Sequence, residues 1–261
     1  MTPKGNQPKI ACNYVVIVID YKAMFKKFIT YFNKIEWSLL ICGLLCVTIG
    51  FVVTPEKNIF SYLSSVAGIT CVIINSKGNV WGQVVAITFG VLYGICAYQQ
   101  HYYGEMLIYF CLMIPIHIFS IVSWLRHKFN GKKHEVEVNN LKPLEYVLVF
   151  VGAAVVTVAF YFLLRALNTD NLIISTISLT TSITAAYFML RRCEFFSICF
   201  VFNDIILIVL WSLKLFSEGF SLLPSVLAFV IFLFCDTYCY LSWRTMKKRQ
   251  KAQSDPTKLT N

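Results

Sequence analysis

YVLVFVGAAVVTVAFYFLLRA, residues 146–166, is the stretch on which the fold turns. Its only charge is Arg165, near the end. A bilayer core is about 30 Å thick and a helix crosses it with about 20 mostly apolar residues, so this run predicts one transmembrane helix. Working outward, similar runs precede it at 37–54, 59–75, 80–99 and 104–125 and follow it at 171–190, 195–215 and 221–241. The expected architecture is therefore an all-α integral membrane protein of eight spans, in which 146–166 stands alone between two groups of three. Short connectors make most sequence neighbours antiparallel.

Composition agrees. Soluble chains carry roughly a quarter of their residues as charges, whereas here 57% are hydrophobic and 14% charged. The formal charge of +10 does not form one basic face suited to nucleic acid; the bases lie between and beyond the apolar runs. With the amino terminus in the cytoplasm, inside segments hold 20 of the 23 Lys and Arg residues, leaving Lys57, Arg165 and Lys214 outside. This asymmetry predicts both termini to be cytoplasmic and the number of spans to be even. Trp37, Trp81, Trp124 and Trp243 fall near the expected interfaces, where indoles anchor helices. Ten cysteines would suggest a disulfide framework in a short secreted chain, but most lie inside apolar runs and read as small buried hydrophobes.

The amino-terminal segment 1–36 has Lys4 and Lys9 before Tyr14 to Ile19, then Asp20, with no small-residue cleavage site, and so is not read as a signal peptide. Over 21–36, Phe25, Ile29 and Phe32 share a helical face while Lys22, Lys26 and Lys27 occupy others; a surface-lying helix and a flexible tail both fit. The remaining expected units are an extra span at 37–54, a first three-helix repeat at 59–126, a basic cytoplasmic loop at 127–145, the linker span at 146–166, a second repeat at 171–244 and a basic tail at 245–261. Lys247 to Lys251 in that tail serve as a topology signal or meet anionic lipid.

The repeat shows at its ends. The first triplet closes on Ser123-Trp124-Leu125-Arg126 and the second on Ser242-Trp243-Arg244, with 243 − 124 = 119. Three helices plus a linker return the second triplet to the orientation of the first, which makes a parallel repeat. Two such bundles enclose an interface near the midplane where a solute can bind, with access alternating as one bundle moves against the other.

Ser76-Lys77-Gly78-Asn79-Val80-Trp81-Gly82, then Tyr98-Gln99, Tyr103-Gly104-Glu105-Met106, Pro115 and Trp124, resemble the first half of the Pnu transporters, named for nicotinamide riboside uptake. Arg191-Arg192-Cys193-Glu194 and Asn203-Asp204 through Trp211 resemble the second half, so the similarity covers roughly 59–244. The resemblance implies a bacterial cytoplasmic-membrane protein with a 3+1+3 core preceded by one helix. It further implies a homotrimer with one pathway per protomer and passive uptake of a nucleoside-like vitamin without a coupling ion, trapped inside by phosphorylation. One departure stands out: after the acid matching Glu194 the nicotinamide riboside carriers usually have two tryptophans three residues apart, and this chain has Phe196 and Cys199. Deoxyribonucleosides, thiamine and riboflavin, carried by relatives of the same fold, are the alternative substrates.

A nucleoside offers a flat ring to stack and hydroxyls to bond. Asn203, at the family's polar position, contacts substrate or bonds helix to helix, and adjacent Asp204 faces elsewhere on the same helix. Phe196 and Trp211 offer stacking surfaces, with Cys199 beside them in the altered pair. Gln83, Tyr98 and Gln99 line the pathway or bond a neighbour, and Glu105 fixes a loop or an interface through backbone hydrogen bonds. His117 and Asp236 both lie within spans and again differ by 119, so they should occupy equivalent places and pair across the pseudo-axis, either as an anchor or in proton coupling. No metal-ligand cluster, nucleophile elbow or phosphate-binding glycine loop stands at useful spacing, so neither an enzyme nor a cofactor is expected. A membrane enzyme, a receptor or assembly factor, and a channel are the rival readings; the expected partners are substrate and membrane lipid, not nucleic acid.

Overall fold

The structure, a computed structural model, describes residues 30–55, 57–131 and 135–254. Contacts divide the chain into two units, Met1–Ser38 and Leu39–Asn261. The surface helix expected over 21–36 lies largely outside the described residues. The described part of the first unit is a turn that launches a helix, α1 (Lys34–Val53). Asn33 Oδ1 accepts from the Glu36 N–H at 2.9 Å while Glu36 Oε2 accepts from the Asn33 N–H at 2.8 Å, a reciprocal cap on two otherwise orphaned donors. Phe32 packs edge-on against Trp37, with centroids 5.4 Å apart, across the same start. Phe32 and Trp37 thus form a hydrophobic staple.

The second unit completes α1 and adds α2 (Ile59–Asn75), α3 (Trp81–Gln99), α4 (Tyr103–Arg126), α5 (Pro143–Ala166), α6 (Leu172–Leu190), α7 (Phe195–Glu218) and α8 (Leu223–Ser254). Among the described residues there are thus eight helices; seven are long and apolar enough to span a bilayer, and α2, of 17 residues, is a shorter apolar helix. The protein is a multi-pass membrane protein, and the helices match the spans expected from sequence to within a few residues, except that α8 runs on through the basic stretch to Ser254. Lys, Arg and Gln are good helix formers, so nothing local ends α8 where the apolar run stops.

Within α4 the segment Ile108–Met113 winds as a π-helix and runs into Pro115. Proline has no N–H to offer the Cys111 carbonyl, and a wider turn absorbs that defect. Gly82 brings the start of α3 onto the end of α2: a Cβ there would overlap the Asn75 side-chain oxygen and lie 2.8 Å from its backbone nitrogen. The α2–α3 turn also needs the left-handed conformation of Gly78, with φ 65°.

α2–α4 and α6–α8 form the two triplets, joined by α5, which buries only Ala153 and Leu164. At the end of the bundle where α2, α4 and α6 finish, here called the basic end, the triplets bond each other reciprocally. Trp124 donates its indole N–H to the Met189 carbonyl at 3.1 Å and Trp243 donates to that of Asn75 at 2.8 Å. The neighbouring hydroxyls repeat the pattern, Ser123 to the Leu190 carbonyl at 3.1 Å and Ser242 to that of Ser76 at 2.7 Å. An extended segment then spans both inter-helix turns: Val136 donates to the Gly78 carbonyl at 3.0 Å and Asn139 to that of Arg192 at 2.9 Å. Gln250 near the end of α8 holds this segment, accepting from the Val138 N–H and donating to the Val136 carbonyl.

Candidate functional site

Between the triplets lies a narrow cavity of about 60 Å³, well below the roughly 300–1,000 Å³ typical of occupied small-molecule sites, so its walls must part to admit a solute. Five of the ten candidate residues line it: Phe196, Asn203 and Asp204 from α7, His117 from α4 and Asp236 from α8. Gln83 stands just behind, fully buried, its amide donating to Asn75 Oδ1 at 3.0 Å and its Oε1 lying 2.7 Å from His117 Nδ1. Because the Gln83 amide nitrogen is already spent on Asn75, its oxygen accepts from His117 Nδ1–H, and in the neutral ring Nε2 keeps a free lone pair. No hydrogen bond or ion pair joins His117 to Asp236, although both face the same space.

The other four lie elsewhere. Cys199 opens onto a lateral groove lined by Tyr146, Phe150 and Thr184. Tyr98 is exposed, and Gln99 lines a surface pocket with Lys57 and Gln100 at the end opposite the basic one. Trp211 is fully buried and acts through its partners: it donates to Tyr93 Oη at 2.8 Å and packs edge-on against Tyr102.

Asn203 is held by its oxygen. Ser178, Thr181 and Ser182 of α6 all donate to Oδ1, at 3.2, 2.7 and 3.2 Å, because three hydroxyls fall on one face at spacings of three and four residues. The Asn203 amide nitrogen makes no hydrogen bond to any described residue, so a donor is presented at the cavity wall. The one Ser178 hydrogen is shared between Asn203 and Glu105, with Glu105 Oε1 the nearer acceptor at 2.8 Å, and Tyr93 reaches Glu105 Oε2 at 3.4 Å. Glu105 is therefore fully buried in a side-chain network, not tied to loop backbone as its place near a helix end suggests. The reason is that Ser178 on α6 and Tyr93 on α3 converge there with hydroxyls that need an acceptor. Trp211, Tyr93, Glu105, Ser178 and Asn203 thus form one continuous polar chain from the far end into the cavity.

The sequence reading missed most of the walls: Phe89, Tyr109, Phe200, Phe229 and Phe232 also line the space. Phe229 and Phe232 lie seven and four residues before Asp236, and Tyr109 lies eight before His117, so a helical count back from each polar residue finds them. Aromatic clusters close both ends. Towards the basic end Phe196 packs edge-on against Trp243, which meets Trp124; towards the other, Tyr93 contacts Tyr109, Phe229 and Trp211. Among the described residues no group of three or more His, Cys, Asp or Glu side chains is arranged to hold a metal ion.

The family model described as nicotinamide mononucleotide transporter matches residues 58–245. The nicotinamide riboside transporter PnuC of Neisseria mucosa is 28% identical over 227 residues, covering 86% of this chain and 85% of that protein. The protein of the same name from Haemophilus influenzae is 21% identical over 226 residues, covering 86% and 96%. The crystal structure of the vitamin B3 transporter PnuC superposes with a TM-score of 0.75 at 24% identity, covering 84% of this chain and 94% of that one, and so shares its fold.

Proposed function

The chain belongs to the nicotinamide mononucleotide transporter family, and on that premise we propose that it carries nicotinamide riboside, the unphosphorylated nucleoside, across the membrane. The curated relatives are nicotinamide riboside transporters by name, whereas the family is described by the mononucleotide. The chemistry of the cavity favours the riboside. Its lining contains Asp204 and Asp236 and no Lys or Arg. A phosphate entering this low-dielectric space would meet two carboxyls and no cation, an arrangement that strongly disfavours it. A nucleoside finds what it needs: aromatic walls for a planar ring, the free Asn203 amide for a carbonyl, and a polar group at His117 for a ribose hydroxyl. The single observation carrying the assignment is this aromatic cavity with an amide donor, two acids and no Lys or Arg in its lining.

Movement is passive. The reciprocal tryptophan bonds at the basic end and the Tyr93–Trp211 contact at the other are two closures on either side of one cavity, and opening them alternately moves solute without a coupling ion. The distribution of bases supports a cytoplasmic basic end with both termini inside, where phosphorylation traps the nucleoside. The family resemblance supports a homotrimer, each protomer with its own pathway, in a bacterial cytoplasmic membrane.

Uptake and counterflow in proteoliposomes test this with radiolabelled nicotinamide riboside beside its mononucleotide, thymidine, deoxyadenosine, thiamine and riboflavin. Saturable counterflow of the riboside without that of the mononucleotide is expected. Flux of another compound in its place would replace the substrate, and binding without flux would make the protein a receptor.

A further inference from the structure

Asp204 on α7 and Asp236 on α8 face the same cavity and are only 4% and 5% exposed. Neither meets a Lys or Arg among the described residues, and Asp204 Oδ2, wholly shielded, makes no hydrogen bond there. The Asn203 oxygen, one residue away, faces three hydroxyls, so the fold supplies donors to an amide carbonyl and leaves the adjacent acid bare. Two carboxylates in one apolar space repel each other, and a positive charge placed between them relieves both at once.

Its walls suggest which kind of cation. Phe89, Phe229 and Phe232 surround the same space, and the face of an aromatic ring attracts a positive charge. A hard metal ion wants about six oxygen ligands, and the described residues form no such cluster. Two acids set among rings suit instead a flat organic cation whose charge is spread over its ring.

We infer that Asp204 and Asp236 read the charge on the substrate's ring, selecting a permanently cationic heterocycle such as a pyridinium over a neutral ring of the same outline. The inference rests on reading the cavity as the nucleoside site and adds what that reading leaves open, namely which electrostatic property of the base is recognised. Shape and the carboxamide bond do not distinguish a pyridinium from an isosteric benzene ring; the aromatic walls favour the cation modestly, and the acid pair supplies the part of the preference that Asp→Asn removes.

The test compares nicotinamide riboside with benzamide riboside, in which carbon replaces the ring nitrogen, so that ring, carboxamide and ribose stay and the charge goes. In competition binding to the purified full chain, the cation should bind at least roughly tenfold more tightly. Asp204→Asn and Asp236→Asn should each shrink that ratio severalfold. Equal affinity for the two ribosides in the unmodified protein, or an unchanged ratio in both variants, would overturn the inference. If an asparagine variant does not fold, the ratio in the unmodified protein still decides, since an acid pair that reads charge requires a preference. Replacing Na⁺ by N-methylglucamine should leave both affinities as they were; a requirement for Na⁺ would assign the acids to an inorganic cation and overturn it too. Binding of both ribosides with equal affinity leaves the nucleoside reading intact, whereas binding of neither, beside binding of another compound, removes both readings.

Discussion

Trp124 and Trp243 stand 119 positions apart, with ring centroids 5.4 Å apart, and each bonds the opposite triplet at an equivalent carbonyl. The relationship is a molecular record of the internal repeat: each triplet ends by latching onto the first helix of the other. Carrier motion that opens the basic end must break both bonds, so they set part of the energy difference between states.

Trp124→Phe and Trp243→Phe test that role. Each keeps a ring in the cluster and removes one donor from a carbonyl that still accepts a backbone N–H, Met189 from Arg192 and Asn75 from Gly78, at a cost of about 0.5–1.5 kcal/mol. Both variants should therefore unfold earlier in detergent, by similar amounts. A large loss in one and none in the other would mean that the two latches are not equivalent.

A second prediction separates two ways of pairing His117. Equivalent positions suggest Asp236 as its partner, yet the ring bonds Gln83 at 2.7 Å. In double-mutant cycles on substrate affinity, His117→Ala with Gln83→Ala should show coupling of about 0.5–3 kcal/mol, and His117→Ala with Asp236→Asn should come close to additive. The reverse pattern would put the histidine proton on the acid.

These pairs also show what the sequence makes legible. Length and apolar character alone place eight helices, because a bilayer fixes how long an apolar run must be. The offset of 119 finds the repeat, since Trp124 and Trp243 are rare residues at matching ends. Polar residues inside spans, such as His117, Asn203 and Asp236, point to the cavity because burial without a purpose is costly. Phe89 and Phe232 carry no such mark: apolar residues are everywhere in a membrane helix, and only rotation about its axis separates a wall of the cavity from a surface facing lipid. Glu105 shows the same gap. Its place near a helix end suggests a loop contact, and only the convergence of α3 and α6 reveals Tyr93 and Ser178 as its donors.

Glu105 supplies a third prediction. Removing its carboxyl with Glu105→Ala leaves the buried Tyr93 hydroxyl without an acceptor and Ser178 with only the more distant Asn203 oxygen, and should cost about 1–3 kcal/mol. Glu105→Gln keeps one acceptor and should cost about half as much. Because Ser178 also holds Asn203, both variants should weaken nucleoside binding in the same order. Full stability of the alanine variant in thermal unfolding would show that the polar chain is dispensable.

The altered aromatic pair gives the last prediction, which places its two positions on different surfaces. Phe196 lines the cavity and packs against Trp243, whereas Cys199, three residues on, opens to the groove beside Tyr146 and Phe150. On a helix three residues turn the side chain by about 60° from full register, enough to leave a narrow cavity. Phe196→Trp adds a larger ring at the closed side of the cavity and should change riboside affinity by roughly threefold or more. Cys199→Trp fills the lateral groove and should leave that affinity within about twofold, since the groove is apolar and away from the acids. Titration of each variant with nicotinamide riboside decides. A strong effect at position 199 would mean that α7 rotates during transport to present that face, since only such a turn brings the side chain from the groove into the cavity.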